Sequence, residues 1–143
     1  MLTKLMAYAL NIEEGLEFSP QGLADPDAPA LRAADLNGNT RLWIEVGNPS
    51  PKKLHKAAKV ADRVRVYTYK DPQSLVRNLS AEKIHKSDEI EIYSFDPKFL
   101  SAVEKQLERD NKWSILYQDK NLTLNIGDAS HTTEIGTWAI AEV

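Results

Sequence analysis

Residues 42–46, Leu-Trp-Ile-Glu-Val, form a short apolar run interrupted by a single carboxylate. Its length and its branched and aromatic side chains suit a buried strand better than a helix. The residues after this run narrow the fold further. Gly47, Asn48 and Pro49 close it, Ser50 is a good N-cap, and Pro51 suits the first position of a helix reaching about Ala61. Residues 65–69 then alternate as a strand does. A strand, a helix and a second strand in succession predict a crossover with its strands parallel and both sheet faces buried, hence an α/β fold.

The flanking segments extend this reading. Leu2, Leu5, Met6, Ala9 and Leu10 fit a helical stripe, and the helix they define is expected to end near Glu14 and Gly15, with a short strand over 16–19. The proline-rich stretch 20–29 is expected to be a loop or a sheet edge. Segments 31–35 and 41–46 flank Asn37-Gly38, a tight-turn dipeptide, and predict a β-hairpin. Downstream, helices are expected over 73–79 and 97–109, a strand over 89–95, and three antiparallel strands over 113–118, 122–126 and 133–141. No repeat or domain-sized linker appears, so residues 1–143 read as a single domain whose two halves share one mixed sheet.

Composition excludes several classes. A chain of 143 residues buries about two-thirds of its unfolded surface without metal or disulfide staples. Apolar segments fall well short of the roughly 20 residues that a membrane helix needs, so no membrane partner is expected. There is no cysteine, which removes disulfides, zinc-thiolate sites and thiol nucleophiles and suits a cytoplasmic location. The net charge of −3 supplies no global attraction to nucleic acid, so such binding needs a local basic patch. His55, His85 and His131 lack metal-ligand spacing. Trp43, Trp113 and Trp138 all fall in expected strands, where large aromatics pack cores.

Glu45 is the residue that needs a reason. A carboxylate in a buried strand is costly unless it reaches water, a hydrogen-bond donor or a cation. A hairpin turning on Asn37-Gly38 pairs residues whose numbers sum to about 75. Position 30 then lies across from Glu45, and Asp35 lies across from Thr40. At about 3.4 Å per residue Asp35 stands about 17 Å from Glu45 along the ladder, too far to share an ion. Asp27, three residues beyond position 30, is the better placed partner. Beyond the strand, Lys52, Lys53, Lys56 and Lys59 lie within two turns of the following helix. Lys52, Lys56 and Lys59 follow helical spacing along one face, which is either a solvated basic face or a cationic rim.

Pro26-Asp27, with Glu45 eighteen residues later, resembles the metal-binding half of the restriction-endonuclease-like, PD-(D/E)XK nuclease superfamily. The lysine that ends that pattern is Gly47 here. Longer stretches resemble the YaeQ family: 1–18, 22–38, and above all LWIEVGNPSPKKLHKAAKVADRVRVYTY over 42–69. That resemblance implies an α/β, restriction-endonuclease-like mixed β-sheet flanked by helices, and a chain lacking the family's N-terminal segment. It also implies a magnesium site of Asp27, Glu45 and Glu14, with Asp27, Glu45 and Lys56 as the catalytic set. Two functions are compatible with it. One is a magnesium-dependent nuclease that hydrolyses phosphodiesters of DNA or RNA. The other is a catalytically inactive nuclease-fold protein that binds nucleic acid or protein. The oligomeric state is left open.

Overall fold

The computed structural model describes residues 2–11, 16–18, 28–107 and 113–140. In chain order the elements are α1 (Leu2–Leu10), β1 (Leu16–Phe18), β2 (Leu31–Ala34), β3 (Thr40–Val46), α2 (Pro51–Val60), β4 (Ala61–Thr68) and α3 (Pro72–Ser80). They continue with β5 (Ile90–Ser94), α4 (Pro97–Leu107), β6 (Trp113–Gln118), β7 (Asn121–Ile126), β8 (Ala129–Glu134) and β9 (Gly136–Trp138).

The predicted crossover is present. Strands β3, β4 and β5 run parallel at the centre of a six-stranded mixed sheet ordered β1-β2-β3-β4-β5-β9. The outer strands β1, β2 and β9 pair antiparallel to their neighbours. Helix α2 starts where the sequence places its cap: Ser50 Oγ accepts the backbone N–H of Lys53 at 3.2 Å, with Pro51 following. Leu54, Ala57 and Ala58, at helical spacing, are the residues it buries. Asp71 caps α3 in the same way, accepting from Gln73 and Ser74.

Because side chains alternate along a strand, the central sheet separates two cores. On one face Leu42 and Ile44 of β3 pack with Met6 and Ala7 of α1, Phe99 and Val103 of α4, and the inward residues Leu122, Leu124 and Ile126 of β7. On the other face Val64 and Val66 of β4 and Ile90 and Ile92 of β5 meet Leu54, Ala57, Leu75 and Leu79 of α2 and α3, with Trp43 packed against them. The sheet is thus flanked by helices on both sides.

Several sequence expectations are corrected. Helix α1 is described over Leu2–Leu10 and passes into a turn at Asn11, whose side-chain amide donates to the carbonyl of Ala7 at 2.7 Å; the expected end near Glu14 and Gly15 lies outside the described residues. The hairpin keeps its expected register at Leu31–Ile44, Arg32–Trp43 and Ala33–Leu42. Nearer the turn it slips by one, so Ala34 faces Thr40, and Asp35 N donates to Asn39 O at 2.9 Å. The Asp35 carboxylate drives that slip by accepting from the backbones of Asn37 and Asn39, both at 2.9 Å, which encloses three loop residues instead of two. The last expected strand, 133–141, divides at Ile135. β8 completes a separate antiparallel sheet, β6-β7-β8, and β9 returns to the edge of the main sheet. Two sheets therefore replace the single shared sheet.

Candidate functional site

Trp43 and Glu45 stand two residues apart on β3 and project from the same face, toward the start of α2. Glu45 is 4% exposed. The indole Nε1–H of Trp43 donates to Oε1 of Glu45 at 2.7 Å, and the ammonium of Lys53 lies 3.2 Å from Oε2. The buried carboxylate is thus oriented by a neutral donor on its own strand and neutralised by a cation from the next helix. Burial pushes its pKa above the ordinary 4.5, while the Trp43 hydrogen bond and the Lys53 charge act in the opposite direction.

Lys53 has two attachments. Its backbone N–H caps the helix on Ser50, and its side chain reaches back over the strand end to Glu45. The loop between them is held equally firmly. Gly47 N–H donates to the carbonyl of Tyr67 at 2.9 Å, and Asn48 Oδ1 accepts the Thr68 hydroxyl at 2.7 Å, tying the end of β3 to the end of β4. Gly47 adopts φ +104°, which residues with a side chain rarely take. This backbone accounts for a glycine at the position two residues past Glu45, and the positive charge arrives from α2 instead.

Of the residues singled out in the sequence, Glu45 is buried as expected. Lys56 lies one turn beyond Lys53 and is exposed, as are Lys52 and Lys59, and the lysine beside Glu45 is Lys53. Asp27 and Glu14 lie outside the described residues. Sequence reasoning missed Lys53 and Trp43 as partners of Glu45. The signal for Trp43 was the period of two along the strand, and for Lys53 its place three residues after the Ser50 cap. Among the described residues, no group of three or more histidine, aspartate or glutamate side chains converges to hold a metal ion. His55 is engaged elsewhere: its Nδ1 accepts the backbone N–H of His85 at 2.9 Å, and the two rings meet edge to face.

A family model described as YaeQ protein matches residues 1–135. The chain belongs to the YaeQ family. An uncharacterized YaeQ protein of Escherichia coli strain K12 and one of Shigella flexneri are each 32% identical to it over 69 residues. That stretch is 48% of this chain and spans 38% of each relative. The crystal structure of YaeQ from Xanthomonas axonopodis pv. citri superimposes with a TM-score of 0.85 at 22% identity, covering 98% of this chain and 80% of the other. YaeQ from Pseudomonas syringae gives 0.82 at 23% identity, covering 95% and 75%. These likenesses establish the YaeQ fold, a mixed six-stranded sheet flanked by helices. No helix among the described residues of this chain is long and apolar enough to cross a membrane.

Proposed function

We propose that this member of the family is a magnesium-dependent phosphodiesterase acting on DNA or RNA, built on a restriction-endonuclease-like arrangement of its mixed sheet. The observation that carries this reading is Glu45, a carboxylate buried at the end of a parallel strand with an ammonium 3.2 Å away. The ends of parallel strands beside a following helix are where α/β proteins place their ligands. Among the described residues each oxygen of Glu45 has one partner, and a carboxylate offers about four lone-pair sites, so both oxygens retain capacity for a hard cation.

In this reading Asp27 and Glu14 complete the ligand set with Glu45. A bound magnesium ion supplies polarisation of the scissile phosphate and a more acidic water. The chain's own residues do the rest. Trp43 fixes the orientation of the Glu45 carboxylate. Lys53 places positive charge where a phosphate beside Glu45 gathers negative charge, taking the part of the lysine absent at Gly47. Lys56, exposed one turn further along α2, contacts a backbone phosphate, with Lys52 and Lys59 beside it as a basic rim. A cytoplasmic location accords with the absence of cysteine.

The second reading, a catalytically inactive nuclease-fold protein that binds nucleic acid or protein, is supported by the same ion pair, since Lys53 and Glu45 satisfy each other without a metal. Magnesium- or manganese-dependent cleavage of single- and double-stranded DNA and RNA separates the two. Cleavage by the wild type that disappears in Glu45→Ala and Asp27→Asn supports catalysis. Equal signals in wild type and both variants assign the activity to a contaminant. Retained substrate binding without cleavage supports the second reading.

A further inference from the structure

The face of the main sheet opposite Glu45 holds a second polar assembly. Between the end of α1, strands β4 and β5 and the smaller sheet lies a cavity of about 170 Å³, bordered by Asn11, Arg65, Tyr67, Tyr93 and Tyr117. Arg65 and Glu91, side by side on β4 and β5, are joined at 3.2 Å. Tyr67 and Tyr93 stack with ring centres 5.1 Å apart and planes at 22°. Tyr93 donates its hydroxyl to Glu91, and Arg65 donates a terminal N–H to Asn11 Oδ1.

The balance of donors and acceptors is what sets this cavity apart. Asn11 spends both amide hydrogens, on Ala7 O at 2.7 Å and on the Tyr67 hydroxyl at 2.8 Å. Its carbonyl accepts from Arg65, and Glu91 accepts from both Arg65 and Tyr93. The Tyr67 hydroxyl accepts from Asn11, but among the described residues its own proton has no acceptor, although the residue is only 4% exposed. A guanidinium carries five N–H groups, and the bonds to Glu91 and Asn11 leave Arg65 with further donors. Tyr117 adds a hydroxyl at the rim. Glu91 takes both of its bonds on Oε2 and does not line the cavity; among the lining groups, the Tyr67 hydroxyl proton and the further N–H groups of Arg65 are the unspent donors.

We propose that this cavity is a binding site for a small oxyanion, a carboxylate or phosphate, received by the Tyr67 hydroxyl and the free N–H groups of Arg65 between tyrosine walls. The Tyr67 hydroxyl is shielded from water while the Arg65 side chain is 21% exposed, and an anionic oxygen engages both with charge-assisted bonds. Burial raises the pKa of Tyr67 and Tyr93 and so keeps both as neutral phenols at ordinary pH. The volume is smaller than the roughly 300 Å³ of drug-sized sites, so the site takes an anion of few atoms or the acidic end of a longer molecule.

The test is an amide NMR titration of the intact protein with inorganic phosphate, acetate and benzoate, at an ionic strength held constant with chloride. Saturable shifts centred on Asn11, Arg65, Tyr67, Tyr93 and Tyr117 are expected, and the three anions show which oxyanion is preferred. Tyr67→Phe keeps the ring stack and removes the unspent donor, so it should weaken binding about tenfold, the value of one hydrogen bond to a charged group. Tyr117→Phe, at the exposed rim, tests the same point without touching the core and should weaken binding severalfold. Glu45→Gln, on the opposite face, should leave the affinity unchanged whether or not the protein is a nuclease. Linear, non-saturating shifts, shifts centred on α2, or equal affinity in the wild type and both tyrosine variants would overturn the proposal. A cavity holding only water would give the first of these results.

Discussion

The Lys53 ammonium lies 3.2 Å from Oε2 of Glu45, joining the first turn of α2 to the end of β3 across the intervening loop. The pair is asymmetric in its surroundings: the glutamate side chain is 5% exposed and the lysine 22%. Water screens one partner only in part and the other hardly at all, so the pair lies between an exposed and a buried ion pair in energy.

A double-mutant cycle measures that energy. Lys53→Met and Glu45→Gln should each destabilise the protein by about 1–3 kcal/mol, with a coupling of about 1 kcal/mol between them. Lys56→Met, on the exposed face, should stay within about 0.5 kcal/mol of the wild type. Urea unfolding of the four proteins of the cycle and of Lys56→Met reads all of these. Additive effects of the two single substitutions would show that the contact contributes nothing.

Gly47 provides a second measurement. At φ +104°, with its N–H bonded to the carbonyl of Tyr67, any side chain is strained even though the space around it is open. Gly47→Ala should cost about 1–2 kcal/mol. Gly47→Lys should cost a similar amount and should not raise cleavage, since the strain moves the strand end that carries Glu45. A Gly47→Lys variant as stable as the wild type and more active would place the functional lysine at this position.

The pH dependence stems from the raised pKa of Glu45. The folded state holds this proton more tightly than the unfolded state does, so between the ordinary 4.5 and the raised folded value the native protein carries more protons. The stability linked to this group is fully present below pH 4.5 and is lost as pH rises through the folded value. In metal-free buffer, the stability of the wild type relative to Glu45→Gln should therefore be greatest at acid pH and decline toward neutrality. Denaturant unfolding of both proteins across that interval checks it. The opposite trend would mean that Lys53 and Trp43 outweigh burial.

Alkaline titration probes the other face of the sheet. Tyr67 and Tyr93 are both held above the ordinary tyrosine value of 10, chiefly by burial. Their phenolates are disfavoured in the fold, so the linked stability is present below about pH 10 and is lost as the pH climbs further. Ultraviolet absorbance of ionising tyrosine should show a late step that coincides with loss of near-ultraviolet circular dichroism. Tyr67→Phe and Tyr93→Phe should each diminish that step. A full five-tyrosine titration with the fold intact would contradict the burial argument.

Much of this protein was legible in one dimension because the governing interactions are local. The Ser50-Pro51 helix start, the strands on either side of α2 and the hairpin pairing at 31–33 all arise from caps, turn residues and a period of two. The buried carboxylate was legible too, as a Glu inside an apolar strand. The division at Ile135 was not. Residues 133–141 read as one strand in the sequence, and only the positions of β7 and β5 decide which part of the stretch pairs with which sheet.

Choice among neighbouring side chains was likewise settled in three dimensions. Four lysines lie within ten residues, and composition treats them alike, but the Ser50 cap sets the rotation of α2 so that Lys53 alone among them is paired with Glu45. The donor-lined cavity draws Asn11 from the end of α1, Arg65 and Tyr67 from β4, Tyr93 from β5 and Tyr117 from the second sheet. The sequence by itself determined the elements, the main crossover and the acid that must be accounted for. The tertiary structure alone decided which cation meets that acid and which donors are left unspent, because those depend on distances between segments that no local pattern encodes.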